Sequence, residues 1–95
     1  MIFITQEDEI KLHKMQSLYF YMPNVLYNKK IIIAIKEAEK KYNIDFFAID
    51  ASYFKGLCRR FDITAIPTII ILSDGKEIKR ISGLVSTNAL SDIYS

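Results

Sequence analysis

The sequence predicts an α/β fold: a central mixed sheet, elements in the order β-α-β-α-β-α-β-β-α, and helices on both faces. Three observations predict it. Leu18–Met22, Ile44–Ile49 and Thr68–Leu72 are short runs rich in β-branched and aromatic residues, as expected of buried strands. A segment of helical period separates the first two, which implies a parallel pair joined by a right-handed crossover. Asp74-Gly75 lies between the third run and a further strand-like segment, and such a dipeptide is the strongest short-range signal of a hairpin.

In chain order, Ile2 to Thr5 is apolar and β-branched and reads as the first strand. Thr5 can cap a helix that follows, with Glu7 and Asp8 in its positive first turn and Ile10, Leu12 and Met15 on its apolar face. Leu18 to Met22 is the central strand, and Pro23 ends it because proline cannot donate to a ladder. Asn24 or Asn28 caps the next helix, which runs to about Tyr42. Ile31, Ile35, Ala38 and Tyr42 recur at helical spacing and Ile32 widens the stripe. Ile44 to Ile49 is the next strand, closed by Asp50. Ser52 is expected to cap a short helix through Arg60, weakened by Gly56. Pro67 opens the strand Thr68–Leu72, and Glu77–Ser82 is its hairpin partner, in which Ile78 and Ile81 need not share a face. Gly83 breaks that strand. Ser86 or Thr87 starts a terminal helix carrying Leu90, Ile93 and Tyr94.

At 95 residues the expectation is a single domain, residues 1–95. With 51% hydrophobic and 25% charged residues the chain can build a core and is not a disordered one. A formal charge of +2 is too small to argue for nucleic acid. The densest basic stretch, Lys36 to Lys41, is interleaved with Glu37 and Glu39 and reads as a solvated helix face. No apolar run approaches the roughly 20 residues of a membrane span, and the N-terminal MIFITQEDEI has no leader pattern. A cytoplasmic monomer is expected, with no cofactor. Seventeen isoleucines, and ten lysines against three arginines, suggest an AT-rich coding sequence, as in a parasite, a reduced bacterium or a virus. One cysteine, Cys58, excludes an internal disulfide and any multi-cysteine metal site.

The element order, together with Phe61-Asp62-Ile63-Thr64-Ala65-Ile66-Pro67-Thr68, resembles the thioredoxin family. In that family a helix ends in an aromatic and a short loop leads to Ile-Pro-Thr. Gly75 lies eight residues after Pro67, and Gly83 eight further, at the family's two later glycine positions. Asp50 stands where the family's strand ends in an acid, and the similarity covers nearly the whole chain. The resemblance implies a thioredoxin-like fold and a cis bond before Pro67. A cis bond there costs only about 0.5–1 kcal/mol, against about 2.5–4 for any other residue. It also implies that the backbone of Ile66 serves as an edge for pairing with an extended peptide. The plainer reading of Pro67 is a loop residue opening a strand.

The chain departs from the family at its reactive centre. The family's Cys-Gly-Pro-Cys falls on Val25, Leu26, Tyr27 and Asn28, with Lys29 matching the lysine that often follows. Its buried acid falls on Tyr19. Dithiol exchange needs a thiolate and a second thiol to resolve the mixed disulfide, so that activity is expected to be absent. Val25, Leu26 and Tyr27, beside Ile66, Pro67 and Leu84, would instead form an apolar surface that binds a protein or extended peptide segment. Alternatively, Val25 and Leu26 fold inward as the helix's first turn. Cys58 reads as a small packed hydrophobe. The enzymatic alternative is an oxidoreductase acting through Cys58 alone with an external thiol, its pKa lowered by Arg59 and Arg60. His13, alone on a polar helix, reads as a surface histidine.

Overall fold

The computed structural model describes residues 1–10, 15–23, 28–83 and 90, the side chain of Asn28 excepted. Five strands, β1 (Ile2–Phe3), β2 (Gln16–Tyr21), β3 (Phe46–Asp50), β4 (Thr68–Ser73) and β5 (Lys76–Ser82), make one sheet in the order β1-β3-β2-β4-β5. β1 and β2 run parallel to β3, β4 runs antiparallel to β2, and β5 antiparallel to β4. Two helices, α1 (Asn28–Tyr42) and α2 (Lys55–Arg60), complete the described elements together with a single 3-10 turn at Glu7–Glu9.

Side-chain alternation along β2 divides the core in two. Tyr19 joins Ala48, Ile69 and Ile71 on one face, where α1 lays Ile31, Ala34, Ile35 and Ala38 against the sheet. Those four helix positions are spaced i, i+3, i+4, i+7 and form a single stripe. Ala34 joins the expected stripe of Ile31, Ile35, Ala38 and Tyr42, of which Tyr42 is half-buried against the same cluster; Ile32, also half-buried, is not part of that cluster. Leu90 is helical and buried in this same cluster, while the rest of the expected terminal helix lies outside the described residues. On the other face, Leu18 and Phe20 meet Ile49, Ile70 and Leu72 beneath Ile4, Ile10, Phe54, Leu57 and Phe61.

Both helices end in the same way. Asn43 and Asp62 take positive φ (53° each) just past the last helical turn, a conformation Asn and Asp tolerate better than most residues. The next amide in each case, Ile44 or Ile63, returns to the carbonyl of Glu39 or Cys58, at 3.2 and 2.8 Å. The hairpin turn at Asp74-Gly75 has positive φ at both central residues, 53° and 80°, as a primed two-residue turn requires. No helix among the described residues is long and apolar enough to cross a membrane.

Three local expectations are corrected. The segment after β1 is not a helix capped by Thr5. It is one 3-10 turn, because Ile10 is already extended (ψ 112°). There the Glu9 carboxylate draws in the Thr5 and Gln6 amides at 2.6 and 2.8 Å, and Thr5 donates its hydroxyl rather than receiving a bond. Met15 is correspondingly exposed rather than on an apolar face, and Leu12 lies outside the described residues. Ser52 does not cap α2, which begins at Lys55 after Phe54 with no side-chain cap. Ser52 instead donates to Asp50.

The β5 edge is charged and carries a bulge at Ile78, since Leu72 pairs with Glu77 while Ile71 pairs with Lys79. The extra residue leaves Ile78 exposed while Ile81 packs on the sheet. Arg80 then reaches over the sheet to donate to the carbonyls of Phe61 and Asp62 at the end of α2, held by Glu77 at 2.6–2.8 Å. Bonds from a charged donor are the stronger ones. Arg80→Met, which keeps much of the aliphatic stem, is expected to cost about 1–2 kcal/mol in denaturant unfolding. A loss below about 0.3 kcal/mol would mean that this clasp does not tie β5 to α2.

Candidate functional site

Strand direction brings the C-terminal ends of β1, β2, β3 and β5 and the N-terminal end of β4 to one margin of the sheet. Asp50 pairs with Tyr21, Phe20 with Thr68, and Thr68 with Ser82. Asp50, Tyr21, Pro67 and Gly83 therefore stand along that margin, and α1 starts from it.

Pro67 is buried and follows a cis bond from Ile66, which is half-buried against the second cluster. The loop is held on two sides. Thr68 donates its hydroxyl to the Ala65 carbonyl at 2.6 Å, and the Gly83 amide donates to the Pro67 carbonyl at 2.9 Å. Gly83 has φ +87°, and a Cβ there would meet nothing within 4 Å, so backbone conformation rather than space favours glycine. Of the predicted binding residues, Ile66 and Pro67 meet at this margin and Asn28 is the first residue of α1. Val25, Leu26, Tyr27 and Leu84, like His13, lie outside the described residues.

Cys58 sits on α2 rather than in the Ile66–Pro67 loop. It is half-buried against the second cluster, with Sγ 3.8 Å from the Ala51 carbonyl. Burial raises its pKa above the ordinary thiol value; Arg59 pulls it down by less, and Asp50 pushes it further up. The adjacent arginines thus do not make it a thiolate at neutral pH.

A cleft of about 340 Å³ opens at the margin, lined by Ile4, Thr5, Tyr21, Asp50, Tyr53 and Phe54. Asp50 organises one wall. Its Oδ1 accepts the Ser52 amide at 2.9 Å and hydroxyl at 2.6 Å, and its carbonyl accepts the amides of Tyr53 and Phe54. Tyr53 rests edge-on against Phe54, with ring centroids 4.8 Å apart, and is 74% exposed. Tyr21 packs between Phe3 and Tyr19, and its phenol pKa is raised by burial and, second, by the Asp50 charge. In the sequence Asp50 reads only as the end of a strand. The signal available was Asp50-Ala51-Ser52, an Asx-turn pattern. Among the described residues no three His, Cys, Asp or Glu side chains are grouped to hold a metal ion.

The family model for thioredoxin matches residues 5–95. Thioredoxin H2 of Arabidopsis thaliana is 37% identical over 46 residues, and thioredoxin H-type of Fagopyrum esculentum is 32% identical over 50. Those alignments span 48% and 52% of this chain but only 35% and 43% of the relatives. Among solved structures, an Entamoeba histolytica thioredoxin mutant superposes with a TM-score of 0.81 at 26% identity, covering 98% of this chain and 95% of that one. The oxidised thioredoxin of Plasmodium falciparum superposes at 0.85 with 20% identity, over 97% and 92%, a likeness of fold alone. Since the family model matches residues 5–95 of its 95, the chain belongs to the thioredoxin family.

Proposed function

We propose that this chain is a binding module that holds an extended protein segment at the sheet margin and performs no dithiol chemistry. The binding surface is formed by Val25, Leu26, Tyr27 and Asn28 with Ile66, Pro67 and Leu84. The observation that carries the reading is the pairing of one cysteine in 95 residues with a retained Ile66-Pro67 margin. Exchange through a dithiol needs an attacking and a resolving sulfur, and the positions that supply them in the family hold Val25 and Asn28. What remains is the backbone at Ile66, where the family resemblance implies pairing with an extended chain.

The test compares disulfide reduction by the wild type and by the Val25→Cys/Asn28→Cys double variant. Activity is expected only in the variant, because it alone carries both an attacking and a resolving sulfur. Equal reduction by the wild type would sink the proposal. In parallel, Val25→Asp and Leu84→Asp are expected to release protein segments that the wild type retains, since each places a charge on an apolar contact surface.

A further inference from the structure

We propose that the cleft between Tyr21, Asp50 and Tyr53 receives a basic side chain, arginine in preference to lysine, of the segment held at Pro67; this rests on the binding reading above. The cleft is built from a carboxylate among aromatic rings. Oδ1 of Asp50 is committed to Ser52. Among the described residues no lysine or arginine pairs with Asp50, although 11 of the chain's 13 (all but Lys11 and Lys14) are described. Tyr21, Tyr53 and Phe54 supply the walls. A bare surface ion pair is worth little against water, but ring faces attract cations, and a guanidinium can stack on a ring while bonding a carboxylate. An ammonium can do only the first part well. The neighbouring phenol already senses the Asp50 charge, which is consistent with a field that reaches across the cleft.

The geometry also sets where that side chain lies in the partner. Pro67 precedes β4, Asp50 ends β3, and β2 stands between them. Two strand spacings of about 4.8 Å separate the two points, and an extended chain advances about 3.3 Å per residue. A segment crossing the margin at Pro67 therefore brings a side chain to Asp50 about three residues away. The partner is a peptide with an apolar residue seated at Pro67 and an arginine about three positions from it.

The probes are random nonapeptides displayed on phage and selected on the wild-type chain, then synthesised with a fluorescent label for anisotropy titration. Selected peptides are expected to share an arginine at one fixed offset of about three from an apolar residue. Replacing that arginine by glutamine is expected to weaken binding about tenfold, and by lysine less. Asp50→Asn keeps the Oδ1 acceptor for Ser52, and Tyr53→Ala removes a side chain already mostly exposed, so both should fold. Each is expected to weaken the arginine peptide several-fold and to narrow its advantage over the glutamine peptide. Selected peptides with no basic residue, or variants that keep the full preference, overturn the cleft proposal while leaving the binding surface standing. Failure to select any peptide overturns both. Self-association of the wild type that Asp50→Asn abolishes would put a basic residue of a second copy in the cleft and overturn the peptide assignment.

Discussion

Phe20→Ala is expected to remove about 3–5 kcal/mol of stability. Phe20 is fully buried near the C-terminal end of β2, the central strand of the sheet, flanked by Ile49 on β3 and Thr68 on β4. Its ring lies 6.0 Å from that of Phe61, which closes α2 over the sheet. Strands on both sides and a helix above leave little room for the cavity to collapse, which is the condition for a cost at the upper end. A domain of this size has about 5–15 kcal/mol in total. The melting temperature should therefore fall by at least 15 °C or so, read by circular dichroism. Phe20→Leu keeps most of the volume and should cost under about 1.5 kcal/mol. Two residues further on, just past the end of β2, Met22 is 37% exposed, and Met22→Ala should change stability by about 0.5 kcal/mol or less. A loss below about 1 kcal/mol for Phe20→Ala would mean that the second cluster is not the packed core described here.

The contrast between Phe20 and the cleft explains what could be read from the sequence. Central strands bury both faces, so Leu18–Tyr21 and Thr68–Leu72 announce themselves as unbroken apolar runs. The Asp74-Gly75 turn was legible because positive φ at two successive positions demands such residues. The isoleucine run of α1 shows the limit of composition. Ile31 is buried while Ile33 is 59% exposed, and only the helical period separates them. The first turn misled because Thr5, Glu7 and Asp8 serve a 3-10 turn as well as a helix, and the choice is made by Ile10 dropping into the second cluster. Of the proposed binding surface, Ile66 and Pro67 are legible as part of the local pattern Ile66-Pro67-Thr68. The cleft is not, because it joins Thr5, Tyr21 and Asp50 from the ends of three strands that no spacing relates.

Cys58 is expected to react slowly with an alkylating reagent in the folded chain and at least tenfold faster once unfolded in guanidinium chloride at pH 7. Two causes act together. The sulfur is half-buried in the contact that ends α2: its carbonyl receives the Ile63 amide, and both side chains pack on the second cluster. Burial also raises the thiol pKa, and the lowering by Arg59 does not reverse it. An ordinary thiol near 8.5 is already only about 3% thiolate at pH 7, so the folded chain holds less. The native labelling rate should climb about tenfold per pH unit from pH 6 to 8 without levelling off, because only the thiolate attacks. The sign for stability follows from the same shift. A thiol whose pKa is raised by folding contributes fully below its unfolded value of roughly 8.5, and that contribution is lost as pH rises through the folded value. Tyr21, raised in the same direction, adds a similar loss at higher pH. Stability should thus decline on the alkaline side, and Cys58→Ala should flatten the first part of that decline. Rapid native labelling that plateaus below pH 7 would instead identify an activated thiolate and favour oxidoreductase chemistry through Cys58 over the binding module. Slow labelling leaves the thiol as half-buried packing on α2, where a small apolar side chain serves.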